Sequence, residues 1–241
     1  MKLSEQEKAA HRAAFRSLSP AKKLDHIFTY YKWPILLGLC ALLVLGSVLH
    51  RQLTKKEPVL YLGLANVSVG TDLEEGLTGG FLRAIGADPA RQEVFLYQNL
   101  YLSEDAATEN HQYAFASRTL LNGATEARKL DLLLLNREAY DLLSHGGYLL
   151  DLAPLLGEDA ALSPRLTANT VVLEDNAIAY QLGEAERHEQ ITETVRNGLE
   201  LTGLPLLEAA GFPEEVYLGV VANSPRIDAV LQYLQYLASG S

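Results

Sequence analysis

Seventeen consecutive residues without a charge, WPILLGLCALLVLGSVL at positions 33–49, limit what this chain can fold into more than any other stretch of it. Lys32 closes the run on one side and His50 and Arg51 on the other. As a helix it spans about 25 Å, against a bilayer hydrocarbon core of about 30 Å. Snorkelling of Lys32 and Arg51, with Tyr30, Tyr31 and Trp33 at the headgroups, closes the gap. The run therefore predicts one transmembrane helix over residues 33–50. A buried core helix is the competing reading, and the basic leader and flanking aromatics weigh against it. A cleaved signal peptide fits poorly, because 32 residues precede the run and no small-x-small site follows it. Lipid attachment at Cys40 fails because Leu39 stands where a small residue is required.

Charge sets the expected orientation. Residues 1–32 hold seven Lys and Arg against three acids, and three basic residues (Arg51, Lys55, Lys56) follow the span. The excess places the N-terminus in the cytoplasm and the remainder outside. Within the leader, Ser19-Pro20 opens a helix whose Leu24, Ile27, Phe28 and Tyr31 share one face, suited to lying on the inner membrane surface. The expected organisation is thus a cytoplasmic leader (1–32), a transmembrane helix (33–50), a linker (51–57) and an extracytoplasmic domain (58–241).

That domain carries ten basic and 26 acidic residues, a net charge of −16. It repels phosphate backbones, so nucleic acid is excluded as a partner. The lipid bilayer is the expected partner. The chain's single cysteine, Cys40, lies in the apolar run, so a disulfide framework or a cysteine zinc site is excluded outside it.

Periodicity then orders the domain. VLYLGLANV reads as a strand, residues 73–85 as a helix, and EVFLYQNLYL as a second strand. Tyr113, Ala116, Leu120, Ala124 and Ala127 fall on one face of a further helix, in which Gly123 costs about 1 kcal/mol relative to alanine. Residues 131–135 are apolar without alternation, as in a strand covered on both faces, which favours a parallel sheet. Asn136 caps a helix over 137–144 that ends at Gly146-Gly147. Beyond it, residues 171–173 and 177–181 are expected to form a hairpin, with extended segments at 148–152, 199–201 and 216–222. A short helix at 204–210 and a last helix after Ser224-Pro225 complete the pattern, the latter with Ile227, Val230, Leu231, Leu234 and Leu237 inward. The alternation predicts an α/β fold, a wound and mostly parallel sheet flanked by helices.

LDLLLLNREAYDLLSHGGYLLDLAPLL resembles the stretch of type 2 extracytoplasmic solute-binding proteins in which strand, loop and helix are closed by a "gyLlDLtpl" phrase. VYLGVVANSPRIDAVLQYLQYL is similar to that family's strand and Asn-Ser before a final helix. The two phrases cover about 50 of 241 residues. The resemblance implies a single lobe of such a protein, since 184 residues from 58 onward are too few for the two lobes that close on a solute.

Catalytic signatures are missing. No two of the six histidines are spaced for a metal, and no G-x-S-x-G, Walker or Rossmann fingerprint occurs. GLTGGFLRAIG reads as a helix interruption, and acidic pairs such as Glu74-Glu75 and Glu174-Asp175 as solvated loop charges. No cofactor or metal is expected, and the domain is expected to be non-enzymatic. In an open α/β sheet a small solute binds beyond the carboxyl ends of the strands. Those ends present Asn66, Ser68 and Thr71, then Asn99 and Tyr101, then Asn136. Each is neutral and hydrogen-bonding, and Asn66 and Asn136 also suit strand ends and helix caps. Tyr97, Tyr101 and Tyr113 offer a stacking surface, while Tyr233 and Tyr236 are expected to bridge core and water. The expected role is recognition. Service as a docking or scaffold subunit for a membrane transport or assembly protein is the alternative.

Overall fold

The computed structural model describes residues 33–34, 36–47, 55–103, 110–157, 159, 161–209 and 215–239. The chain divides into two units, Met1–Lys55 and Lys56–Ser241. In the first unit, residues 33–34 and 36–47 are helical and exposed. Among the described residues no helix is long and apolar enough to cross a membrane. The leader helices, Tyr30, Tyr31, Lys32 and Arg51 lie outside the described residues.

The second unit is an α/β body built on one six-stranded mixed sheet. β1 (Glu57–Ala65) sits between β2 (Gln92–Leu100) and β3 (Leu132–Leu135) and runs parallel to both. β6 (Tyr217–Val220) returns antiparallel beside β3, followed by β5 (Gln190–Glu200) and β4 (Leu166–Asp175), giving the order β2-β1-β3-β6-β5-β4. The expected mostly parallel sheet is therefore corrected to a mixed one. Its source is β6, whose YLGV is wholly buried. Burial on both faces yields an apolar run whichever way a strand points. β4 and β5, by contrast, carry the mixed polar residues of strands with an open face.

Helices cover both faces. On one, Leu60, Leu62, Leu64, Leu132 and Leu134 pack against a helix with three parts: α1 (Thr71–Glu75), a π turn (Gly76–Gly80) and α2 (Phe81–Ala84). The last helix, α8 (Ile227–Ser239), closes the same face with Val230, Tyr233, Leu234 and Leu237. The opposite face joins Leu133 and Leu135 to Leu121 and Ala124 of α3 (His111–Glu126) and to Tyr140 and Leu143 of α4 (Arg137–His145). Short helices α5 (Ala153–Leu156), α6 (Ala177–Gln181) and α7 (Pro205–Ala209) connect the rest.

The GLTGG interruption is the π turn, and its freed carbonyls are bonded. Tyr233 Oη donates to the Leu77 carbonyl (2.9 Å) and Tyr236 Oη to that of Gly76 (2.7 Å). A side chain at Gly80 would run into the Tyr236 hydroxyl, so glycine is required there. Tyr233 is wholly buried rather than shared with water, since the π turn supplies its polar partner inside the core.

Three further expectations change. Residues 177–181 form α6 instead of a strand. Their backbone closes locally, Tyr180 N–H donating to the Asn176 carbonyl (2.9 Å), and β4 pairs with β5. Residues 148–152 keep only an isolated bridge, Leu149 to Val221. On α3 the buried row is Ala114, Ser117, Leu121 and Ala124, about a quarter turn from the expected face, and Tyr113, Ala116, Leu120 and Ala127 are exposed. Both rows have helical three-and-four spacing and share Ala124, and the buried one bears Ser117, whose Oγ accepts the Tyr101 N–H (3.0 Å).

Candidate functional site: a cleft at the carboxyl ends of the parallel strands

β1, β2 and β3 run parallel, so their carboxyl ends open on one side, where a cleft of about 480 Å³ lies. Asn66, Ser68, Asn99, Tyr101 and Asn136 line it, together with Val67, Leu100, Tyr113 and Glu138. The structure thus gathers five of the six residues expected there. Thr71 stands apart, exposed at the start of α1.

Each asparagine has a structural duty as well. Asn66 holds φ 56°, and its amide stitches two loops, Oδ1 accepting the Leu102 N–H (2.8 Å) and Nδ2 donating to the Leu102 carbonyl (2.6 Å). Left-handed backbone suits asparagine better than most side chains. Asn99, at φ 59°, ends β2 in the same way, and its exposed amide lies at the cleft wall. Asn136 caps α4, accepting the Ala139 N–H on Oδ1 (2.9 Å). Glu138, in the first turn of α4, complements the positive end of that helix.

The aromatic wall comes from α3. Tyr113 Oη donates to the Asn99 carbonyl, and its ring stacks on Tyr101 with centroids 6.2 Å apart and planes 19° from parallel. The lining therefore combines amides, a hydroxyl, two phenol rings and one formal charge, Glu138. Such a surface exchanges hydrogen bonds with a polar molecule and disfavours an anion. Glu138 was not legible as a site residue, although its place two positions after a capping asparagine is a usable signal. Tyr113 stood among the aromatics, but its contact with Asn99 depends on how α3 returns over β2.

A second, larger groove of about 680 Å³ runs between α3, α4 and the far end of β4. Several of its polar groups already have partners: Arg118 donates to the Ser103 carbonyl and Tyr148 Oη to Asn122 Oδ1 (2.9 Å). Asp175 accepts from Gln190 (2.8 Å) and the Ala177 N–H (2.8 Å) and meets His188 Nε2 (2.9 Å). Those bonds, the Gln190 one foremost, hold the Asp175 carboxyl below its ordinary value. The His188–Asp175 pair matches a base with its orienting acid, yet no hydroxyl or thiol nucleophile bonds to that histidine among the described residues. No group of three or more His, Cys, Asp or Glu able to hold a metal occurs among the described residues.

Behind the cleft, α4 is tied to the hairpin by a buried polar cluster absent from the expectations. Tyr140 Oη lies 2.9 Å from Asn197 Oδ1 and 3.1 Å from the Thr167 carbonyl, and Asn197 Nδ2 donates to Ser144 Oγ (2.8 Å). Burial pushes the Tyr140 phenol up to about 12. Tyr217 stacks on Tyr140 at 4.8 Å, with the Arg137 guanidinium over both rings. Compared with protein-family models, curated proteins and solved structures, the chain matches none of them.

Proposed function

We propose that this chain is a membrane-anchored extracytoplasmic recognition module, similar to one lobe of a solute-binding protein, that holds a small polar solute without altering it. The observation that carries the reading is the cleft itself. Three parallel strands deliver Asn66, Asn99 and Asn136 to a single opening, and α3 adds the Tyr101–Tyr113 wall. Open α/β sheets bind ligands at this edge. In this role Asn99 and Asn136 Nδ2 exchange hydrogen bonds with the solute, Tyr113 covers an apolar face of it, and Glu138 accepts from a hydroxyl or amine. Asn66 keeps the two loops at their separation.

The apolar N-terminal helix supports the anchoring part. Leu36, Leu37, Leu42, Leu43, Val44 and Leu45 are each at least 49% exposed, and apolar side chains on every side of a helix call for lipid or protein around them. The basic leader supports an inward N-terminus.

Thermal unfolding of the purified chain with panels of sugars, amino acids and short peptides tests the solute reading. A solute at 100 times its dissociation constant stabilises the fold by about 2.7 kcal/mol, a readily measured rise in melting temperature. Tyr113→Ala is expected to abolish that rise while leaving the unliganded melt cooperative. Silence across all panels, or a rise that persists in Tyr113→Ala, would remove the cleft from this role. Extraction of the full chain from membranes by alkaline carbonate would refute the anchor.

A further inference from the structure

The cleft at the carboxyl ends of β1, β2 and β3 has one formal charge in its lining, the exposed carboxylate of Glu138. None of the ion pairs among the described residues includes it. The arginines of the two helices that wall the cleft are committed elsewhere. Arg137, the neighbour of Glu138 on α4, gives Nε to Asp141 (3.0 Å), and its guanidinium lies over the rings of Tyr140 and Tyr217. Arg118 of α3 lines the larger groove and donates to the Ser103 carbonyl.

An anion is poorly served here. A helix N-terminus is ordinarily an anion site, and α4 begins at the cleft. Asn136 Oδ1 has already taken the Ala139 N–H (2.9 Å), and the Glu138 carboxylate stands at the positive end of the helix. Residues 58–241 carry a net charge of −16, whose field draws cations toward the opening and turns anions away. A bare metal ion is served no better, since Glu138 is the one carboxylate in the lining and no metal-holding group of His, Cys, Asp or Glu occurs among the described residues. The rest of the lining is partly apolar and aromatic. Val67 and Leu100 contribute to it, as does the stacked Tyr101–Tyr113 pair, of which Tyr113 is 47% exposed. The face of a phenol ring attracts a cation within about 6 Å, and quaternary ammonium groups are typical ligands of such rings.

We propose that the solute of this cleft is a small organic ammonium ion, whose charged head pairs with the Glu138 carboxylate while its alkyl part lies against Tyr113. The inference rests on the cleft being a solute site and adds which solutes it accepts. Glu138 is then the residue that selects for charge, and Tyr113 the one that selects for a carbon-rich body. A neutral molecule of the same shape leaves the carboxylate without a cation and gains nothing from the ring beyond contact.

Titration calorimetry of the full chain in a neutral detergent tests this with matched probes. Choline is set against the uncharged alcohol in which carbon replaces its nitrogen, and butylammonium against pentanol, with glucose as a neutral polyol and glutarate as an anion. Choline or butylammonium is expected to bind and its uncharged counterpart not. Choline alone would mark a site led by the ring, and butylammonium alone one led by the carboxylate. Glu138→Gln, with a cooperative unliganded melt, is expected to weaken that binding about tenfold or more. Glu208→Gln removes the same charge from an exposed acid outside the cleft and is expected to change it less than about twofold. Tyr113→Ala is expected to abolish it. Glucose binding that Tyr113→Ala removes and Glu138→Gln leaves unchanged overturns the charge assignment while the cleft stands as a solute site. Ammonium binding that survives Glu138→Gln, or falls equally in Glu208→Gln, overturns it by making the acidic surface as a whole the binder. Silence from both ammonium probes overturns it too, and silence from every probe counts against the cleft itself.

Discussion

Replacing Arg226 by methionine removes a guanidinium that lies 2.9 Å from Asp131 Oδ1 while keeping an apolar stem of similar length. Asp131, at the entrance to β3, is wholly buried. Its carboxylate would retain the Tyr61 N–H (2.9 Å) and the Ser224 hydroxyl (2.6 Å) and lose the one cation bonded to it among the described residues. Breaking a buried pair from one side costs about 3–5 kcal/mol, and the two remaining bonds place this case near the lower limit, about 3 kcal/mol. Asp131→Asn is expected to cost less. An amide oxygen still serves the Tyr61 N–H, and Arg226 keeps the Arg128 carbonyl (3.0 Å) and the Tyr61 ring (4.6 Å). Its side chain is 26% exposed, so it can turn toward water. The loss is then about 1–2 kcal/mol, that of hydrogen bonds weakened from charged to neutral. The double variant removes both charges at once and is expected to lose about 1–2 kcal/mol, less than Arg226→Met alone. Urea unfolding of residues 56–241, with a double-mutant cycle, measures all three. An Arg226→Met loss below about 1 kcal/mol, or a double variant as unstable as the two singles added together, would show that the buried carboxylate does not depend on its cation.

The π turn gives a second test. Gly80→Ala places a methyl against the Tyr236 hydroxyl and is expected to cost about 1–3 kcal/mol by overpacking; calorimetry should find a smaller cost in a Tyr236→Phe background, and equal costs would refute the contact. At the cleft, Asn66→Ala loses both bonds to Leu102 and places alanine at positive φ, an expected loss of about 2–3 kcal/mol by chemical denaturation, of which Asn66→Gly recovers the conformational part. Stability should also fall in alkali. Burial raises Tyr140 to about 12 from an ordinary 10.0, and raises Tyr217, Tyr233 and Tyr236 in the same direction. A phenol whose folded value is raised contributes fully below about pH 10 and loses that contribution as pH climbs toward 12. Tyr140→Phe should flatten this alkaline slope in denaturation curves, and an unchanged slope would refute it.

Local patterns made much of the architecture legible. Apolar strand runs and the Asn136 cap lie in contiguous residues, and each is satisfied within a turn or two; α8 itself starts at Ile227, two residues beyond the expected Ser224-Pro225 cap, because the Ser224 hydroxyl is given to Asp131. Strand direction was different. β6 is as apolar as β3, and burial on both faces writes the same letters for either direction, so antiparallel pairing of Leu133 with Gly219 left no mark. The face of α3 was misread because two adjacent rows both keep helical three-and-four spacing, and the buried one is interrupted by a hydroxyl, Ser117, that a purely apolar pattern passes over. The cleft was legible because parallel strands bring their ends together wherever their sequence loops begin. Its wall was not, since Tyr101 and Tyr113 meet only through the return of α3.

Buried polar clusters were the least legible part, and they govern how the body can change. Asp131, Tyr140, Ser144 and Asn197 sit among leucines, where a pattern of apolar residues treats each as an interruption. Their partners are distant: Arg226 lies 95 positions from Asp131, and Asn197 lies 57 from Tyr140. Each cluster also joins the parallel half of the sheet to something added later, α8 in one case and the β4–β5 hairpin in the other. A buried polar group is stable only with its partner in place, so the two halves cannot slide or repack without leaving it orphaned. The parallel half is thereby held rigid on one side, with its cleft above and its β2 edge opposite. α3 and the loops after β1 and β2, which line the cleft, carry none of these buried ties.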